Sequence, residues 1–488
     1  MFVKNKLSSE LEDYATLAAI QQDLQAGTTT CTQLVGQYLA RIEENKHLNA
    51  FVEVYADEAR QRAAEIDAKL ATGTAGRCAG LVLGIKDVLC YAGHGVQAGS
   101  RILDSYKSPF TATAVQRLLD EDAIVIGRQN CDEFAMGSSN ESSYFGPVQN
   151  AADPMRVPGG SSGGSAAALA AGLTSLEIGS DIGGSIRNPA HYCGVFGHKP
   201  SWNLLPMRGH ALAGTLTPTD ISVIGPLARS ADDLELALSL MAGPDKLEAA
   251  GIGLHLPRLE GETRSLRIAV WKTDPMCPVS AAVAARVDAV AAALAAQGAT
   301  VDFEARPAFT GEHSHRIFSA LLMSAMAARF GDKEFDRLVA AADALDPQDQ
   351  GEAAQTLRAQ TLRARDWGRV NEGRTKLRWA WQRFFEQWDF VLAPIMPTTA
   401  FAHDQRAPGE RTIDIDGTAY PYFMQTFWAG LAGVAYLPAT VIPAGPGPDG
   451  LPIGLQIIGP AYGDLRTIGL AQRLERMGFA FRAPPGFD

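Results

Sequence analysis

Apolar residues along this chain fall into two patterns. Short continuous runs at 81–88, 123–127, 266–271, 300–304, 390–394, 439–443 and 455–458 predict buried strands. Longer stretches with helical spacing predict a pair of helices over 15–45, with Thr30 placed to cap the second. Further helices are expected at 56–71, 111–121, 230–242, about 279–297 and 464–477. Residues 313–388 read as largely helical and carry Trp367, Trp379, Trp381 and Trp388, which the pattern assigns to the core. The unit 266–304 is strand–helix–strand, as in a mostly parallel sheet. Strands and helices alternate throughout, with no internal repeat and no long linker. The expectation is therefore one large α/β domain over 1–488. Residues 244–264, rich in Gly, Pro and charge, and the helical region 313–388 are expected as decorations near a site. After Val195–Pro200, the segment up to about Pro226 reads as mostly turns.

Composition narrows the function. A chain that is 46% hydrophobic and 20% charged is an ordinary globular protein. Its formal net charge of -11, with no long Lys/Arg run, argues against autonomous binding to nucleic acid or an anionic membrane. No apolar run reaches the ~18–20 residues of a membrane span. The opening residues MFVKNKLSSELEDYATLAA lack the apolar centre of a signal peptide. Six cysteines are scattered without a CxxC pair. That pattern predicts a reduced, cytoplasmic chain without a zinc site, and no metal is expected.

Candidate chemistry concentrates in Val157–Pro189, VPGGSSGGSAAALAAGLTSLEIGSDIGGSIRNP. Two glycine–serine clusters frame an alanine-rich helical segment. Such clusters suit a phosphate cradle or an oxyanion hole beside a serine nucleophile. Neither cluster has the GxxxxGK of a Walker loop or the GxGxxG of a dinucleotide fold. His191, His198 and His210 lie close enough in sequence to offer a Ser–His pair. Lys86, inside the apolar run LVLGIKDV, has two readings. It either marks a strand end that reaches solvent or sits in a low-dielectric site where it can act as a base. The polar connection 131–147, CDEFAMGSSNESSYFGP, has the composition of a loop that lines a site.

One family pattern accommodates these pieces together. GIKDV around Lys86, PGGSSGGSAAALAAG at 158–172 and GSDIGGSIRNPAHYCGVFGHKP at 179–200 resemble the amidase signature family of serine hydrolases. GPLARSADDLELAL at 225–238 and GLPIGLQIIGP at 450–460 extend the resemblance over nearly the whole chain. It implies a single large mixed β-sheet covered by helices. It also implies a Ser–cis-Ser–Lys triad, with Ser185 as nucleophile, Ser161 as the bridging cis-serine and Lys86 as base. Ile182, Gly183 and Gly184, with Ser185 itself, would offer backbone N–H groups to the oxyanion. Ser162, Asp181 and Arg187 would support the loop. The substrate implied is a small-molecule amide cleaved through an acyl-serine, with no cofactor; a homodimer is left open.

Within that family the chain is similar to two kinds of member. DEFAMGSSNESSYFGPV at 132–148 resembles the glutaminase component of the tRNA-dependent glutamine amidotransferase. The runs at 197–206, 362–381 and 422–432 depart from that component, and the last carries no carboxylate. Trp202, Phe423, Phe427 and Trp428 suggest instead a stand-alone amidase with an apolar or aryl substrate.

Overall fold

A computed structural model describes residues 14–210 and 215–487. Most of the leader expectation rests on residues 1–13, and part of the turn-rich expectation on residues 211–214. Both lie outside the described residues.

An eleven-stranded mixed sheet forms the centre. Its first three strands in space are Phe51–Val54, Ile124–Gln129 and Val82–Lys86, followed by Leu176–Asp181. Val82–Lys86 runs parallel to both of its neighbours. Val223–Ala228, Phe196–Lys199, Ala439–Pro446 and Pro452–Ile458 continue the sheet in antiparallel order. Phe390–Pro394, Arg267–Val270 and Thr300–Asp302 close it as a second parallel group. Alternate side chains feed opposite cores: Leu83, Ile85 and Val125 pack on one face, and Val82, Ile124 and Ile126 on the other. Strands buried on both faces explain why the sequence shows continuous apolar runs there rather than alternation.

The early helices form where capping chemistry places them. Cys31–Glu44 starts at Thr30, whose hydroxyl accepts from the Gln33 amide at 3.1 Å while Gln33 Oε1 accepts from the Thr30 amide at 3.0 Å. The region 313–388 contains Gly311–Ala327, Asp332–Asp343, Glu352–Gln360 and Ala364–Phe385 in large part. Trp381 is fully buried there, whereas Trp379 is 62% exposed, which corrects its assignment to the core. The turn expectation is corrected at its end near Pro226, because Val223–Ala228 is a strand deep in the sheet. Gly225 and Pro226 disguise it, since both residue types normally argue against a strand interior. Among the described residues, no helix is long and apolar enough to cross a membrane.

Candidate active site

Two parallel neighbours deliver side chains to one edge of the sheet. Val82–Lys86 and Leu176–Asp181 run together with Ile85 opposite Ile178. Lys86, Ser180 and Asp181 therefore emerge at adjacent carboxyl ends, where open α/β sheets hold ligands. The first glycine–serine cluster reaches the same edge and leads into the fully buried helix Gly163–Ala170. Asn140, from the 131–148 connection, accepts from the Gly163 and Gly164 amides at 2.8 and 3.2 Å. A distant loop thus satisfies amides that the helix start leaves without partners. The Gly160–Ser161 peptide is cis.

Lys86 does not reach solvent. It is completely buried, and its Nζ donates to Ser161 Oγ at 2.6 Å and to Ser180 Oγ at 3.2 Å. Burial lowers its pKa to about 8, with Cys131, Asp132 and Asp181 opposing the shift and Arg329 adding to it. Asp132, next to this site, is pushed up to about 6 by burial, although its carboxylate accepts from the Asn140 and Glu141 amides at 3.1 and 2.9 Å. The neighbouring Asp87 serves other partners. Its carboxylate accepts from the Gln97 and Gly99 amides, each at 3.0 Å, and from Arg128 at 2.7 Å.

Ser185 lies 7% exposed just before the buried helix Arg187–Cys193. It lines a narrow cavity together with Ser161, Ser180 and Ile182. Its carbonyl accepts from the Ser162 amide at 3.1 Å, which ties the two serine clusters together. The Ser162 hydroxyl meets the Ser180 backbone, at 3.4 Å to both its amide and its carbonyl. Asp181 organises the turn that carries Ser185. Its carboxylate accepts from the amides of Gly184, Ile186 and Arg187 at 2.9, 3.2 and 3.4 Å. Burial by itself would raise this carboxyl. The paired Arg187 guanidinium, 3.0 Å away, outweighs that effect and holds it down at about 2. Arg187 also donates to the Ala429 carbonyl and to Gln456 Oε1, both at 3.0 Å.

The expected oxyanion donors need one correction. Gly184, at φ 112°, gives its N–H to Asp181, so that amide is already committed. The N–H groups of Ile182, Gly183 and Ser185 have no partner among the described residues. Two of the three histidines are also removed from candidacy. The His191 ring is held by the Gly454 backbone and the Thr398 carbonyl, and the His198 ring by Thr440 and Asp464. His210 does line the cavity, and neither ring nitrogen has a partner among the described residues. Burial drives its pKa down to about 3, with Arg329 and Lys86 adding to the shift, so the ring is neutral.

The aromatic residues expected to make an apolar pocket lie elsewhere. Phe427 and Trp428 are buried in the core under the helix Thr426–Gly433. Trp202 stacks on Tyr436 at 4.5 Å, and Phe423 is 39% exposed. The apolar wall of the cavity comes from Val88, Phe134, Ala135 and Ile182, and its polar wall includes Ser222, His210 and Arg329. Of the two segments expected to decorate the site, 313–388 supplies Arg329 and 244–264 supplies no lining residue among those described. Sequence reasoning placed the connection 131–147 at a site without singling out Asp132 or Asn140, and it missed Ser180 and Arg329. Ser180 carried a usable signal, as a hydroxyl at the end of an apolar strand; Arg329 carried none. Among the described residues, no three His, Cys, Asp or Glu side chains are grouped to hold a metal ion.

Comparison with known proteins covers the same span as the site. A family profile described as Amidase matches residues 33–468. The A subunit of the glutamyl-tRNA(Gln) amidotransferase from Synechococcus sp. (strain CC9605) is 35% identical over 496 residues, covering 96% of this chain and 98% of the relative. A solved structure described as part of a vestigial protein complex, revealing the evolutionary origins of an s-triazine catabolic enzyme, superposes with a TM-score of 0.80. It is 29% identical and covers 96% of this chain and all of that one. The peptide amidase of Stenotrophomonas maltophilia superposes with a TM-score of 0.75 at 26% identity, covering 97% of this chain and 99% of its own.

Proposed function

The chain belongs to the amidase signature family of amide-hydrolysing enzymes, and from that premise we propose that it cleaves a carboxylic amide through an acyl ester on Ser185. The observation that carries the mechanism is the 2.6 Å bond from the buried Lys86 to Ser161, on the wall that Ser161 shares with Ser185. An alcohol attacks an amide poorly unless a neighbour takes its proton. Lys86, with its pKa lowered to about 8, supplies a neutral amine for that task in a usable fraction near neutral pH. Ser161 relays the proton, since a hydroxyl both donates and accepts. As Ser185 Oγ bonds to the carbonyl carbon, its proton passes through Ser161 to Lys86. The proton then returns to the leaving nitrogen as the C–N bond breaks and amine or ammonia departs. Water attacks the ester by the same relay, releasing the acid and restoring Ser185. The free amides of Ile182, Gly183 and Ser185 are the donors for the oxyanion. In this reading the whole chain serves one catalytic unit.

For the substrate, the identity to the A subunit of a glutamyl-tRNA(Gln) amidotransferase supports glutamine hydrolysis within such an assembly better than action on an apolar or aryl amide. The position of Trp202, Phe427 and Trp428 away from the cavity weakens the aryl reading further. The carboxylate-free run at 422–432 favours the stand-alone alternative. In the amidotransferase reading, contact with tRNA falls to partner subunits, in keeping with the acidic charge of this chain.

A release assay over glutamine, primary aliphatic amides, aryl amides and anilides tests both levels. It is run with wild type and Ser185→Ala, with and without amidotransferase partner subunits. Loss of all turnover in Ser185→Ala is the expected result, and full activity in that variant would overturn the mechanism. Turnover of glutamine alone, or only with partners, supports the amidotransferase reading. Turnover of aryl amides by the isolated chain returns the stand-alone reading.

A further inference from the structure

Arg329 follows the helix Gly311–Ala327 and presents its side chain to the cavity that holds Ser161 and Ser185. Among the described residues its side chain makes one hydrogen bond, from Nη1 to the Phe134 carbonyl at 3.3 Å. No carboxylate among them pairs with it. The contrast with two other arginines nearby in the fold is sharp. Arg187 is spent on Asp181 at 3.0 Å, and Arg374 on Asp220 at 2.7 and 2.8 Å. Half-buried cations are ordinarily paired, because removing their hydration is costly. Burial lowers the Arg329 pKa accordingly. A planar guanidinium with free N–H groups fits a carboxylate through two parallel bonds. The lining residues include no Asp or Glu that could receive an ammonium group.

Resting on the amide-hydrolysis reading, we infer that the substrate is the half-amide of a short dicarboxylic acid, whose free carboxylate is held by Arg329 while its carboxamide faces Ser185. Recognition rests on that carboxylate, and an α-amino group beside it gains no partner from the wall. Glutaramate has this form, and pentanamide is its counterpart with a methyl group in place of the carboxylate.

The test compares kcat/KM for glutaramate and pentanamide in wild type, Arg329→Met and Arg329→Lys. Wild type is expected to favour glutaramate. The preference should fall by about 10- to 100-fold in Arg329→Met, the range for losing a charged hydrogen-bond partner, with KM carrying most of the change. Arg329→Lys should recover part of it, which a merely structural role would not produce. A second measurement needs no turnover. Titration calorimetry should detect glutaramate binding to Ser185→Ala and a loss of about 10-fold or more when Arg329→Met is added. Equal preference in wild type and Arg329→Met, or equal affinity in the two calorimetric variants, overturns the inference. Hydrolysis that survives Ser185→Ala overturns the amide mechanism instead, and the binding comparison still scores Arg329.

Discussion

Lys86 Nζ lies 2.6 Å from Ser161 Oγ in a site with no solvent around the amine. A contact this short to a hydroxyl, on the cavity wall that also carries Ser185, places the amine to take that hydroxyl's proton in the proposed mechanism. Lys86→Ala should lower kcat/KM by about 100- to 10,000-fold, the usual share of a positioned base. Lys86→Arg should be equally damaged, because a guanidinium stays protonated. Steady-state kinetics on an amide that wild type turns over will check this; an active Lys86→Arg would remove the neutral-base role.

The pH dependence has a definite sign. In the proposed mechanism the base works when neutral, and burial lowers the Lys86 pKa to about 8. Rate therefore increases with pH up to and through about 8, then levels off. A pH profile of kcat/KM for the free enzyme would show one ascending limb there. An ascending limb centred near the ordinary lysine value would mean that the amine is solvated during turnover.

Ser180 is the second hydroxyl on Lys86, at 3.2 Å. An acceptor there favours the ammonium form, so its loss should depress the pKa further. Ser180→Ala is expected to shift the ascending limb to lower pH and to reduce the plateau a few-fold, in line with one hydrogen bond. Unchanged profiles would make Ser180 a bystander.

Arg187 and Asp181 are both buried to within 1% of full exclusion. Arg187→Met leaves the Asp181 carboxylate without its counter-charge. Breaking a buried pair in this way costs about 3–5 kcal/mol. Denaturant unfolding should show that loss, and activity should fall with it because Asp181 holds the Gly184, Ile186 and Arg187 amides.

Gly164 tests local preference against packing. Alanine in a helix is favoured over glycine by about 1 kcal/mol. A Cβ at Gly164, however, would stand 2.4 Å from the Asn130 carbonyl oxygen and 2.7 Å from that of Ala50, both backbone atoms that cannot swing away. Overpacking of this kind costs about 1–3 kcal/mol. Gly164→Ala should lower the unfolding midpoint, and a rise would show that the surrounding strands yield.

Much of this was legible in the sequence because the motifs are local. Lys86, Ser161 and Ser185 each sit in a distinctive run, and the apolar strands around them are short, continuous and buried on both faces. Val223–Ala228 was not legible, because Gly225 and Pro226 break the strand pattern, and only pairing with Leu176–Asp181 and Phe196–Lys199 defines it. The oxyanion donors were overcounted at Gly184, since whether an amide is free depends on where the Asp181 carboxylate points. The pocket aromatics were misplaced for a related reason: helical spacing shows that Phe427 and Trp428 share an apolar environment, not whether it is a core or a cavity wall. Arg329 lies 144 positions beyond Ser185 and has no motif around it. Only the packing of the preceding helix, Gly311–Ala327, brings the two together.

That placement of Arg329 separates two inventories along the chain. In the proposed mechanism every group that handles the proton comes from residues 86–185, while the positive charge on the cavity wall comes from Arg329, after the helix Gly311–Ala327. Selectivity can therefore drift, or be selected in a library, by changing the later segment while the earlier one keeps its chemistry. One catalytic engine can then be passed among many amides by descent, and a relative's name will predict its reaction more securely than its diet.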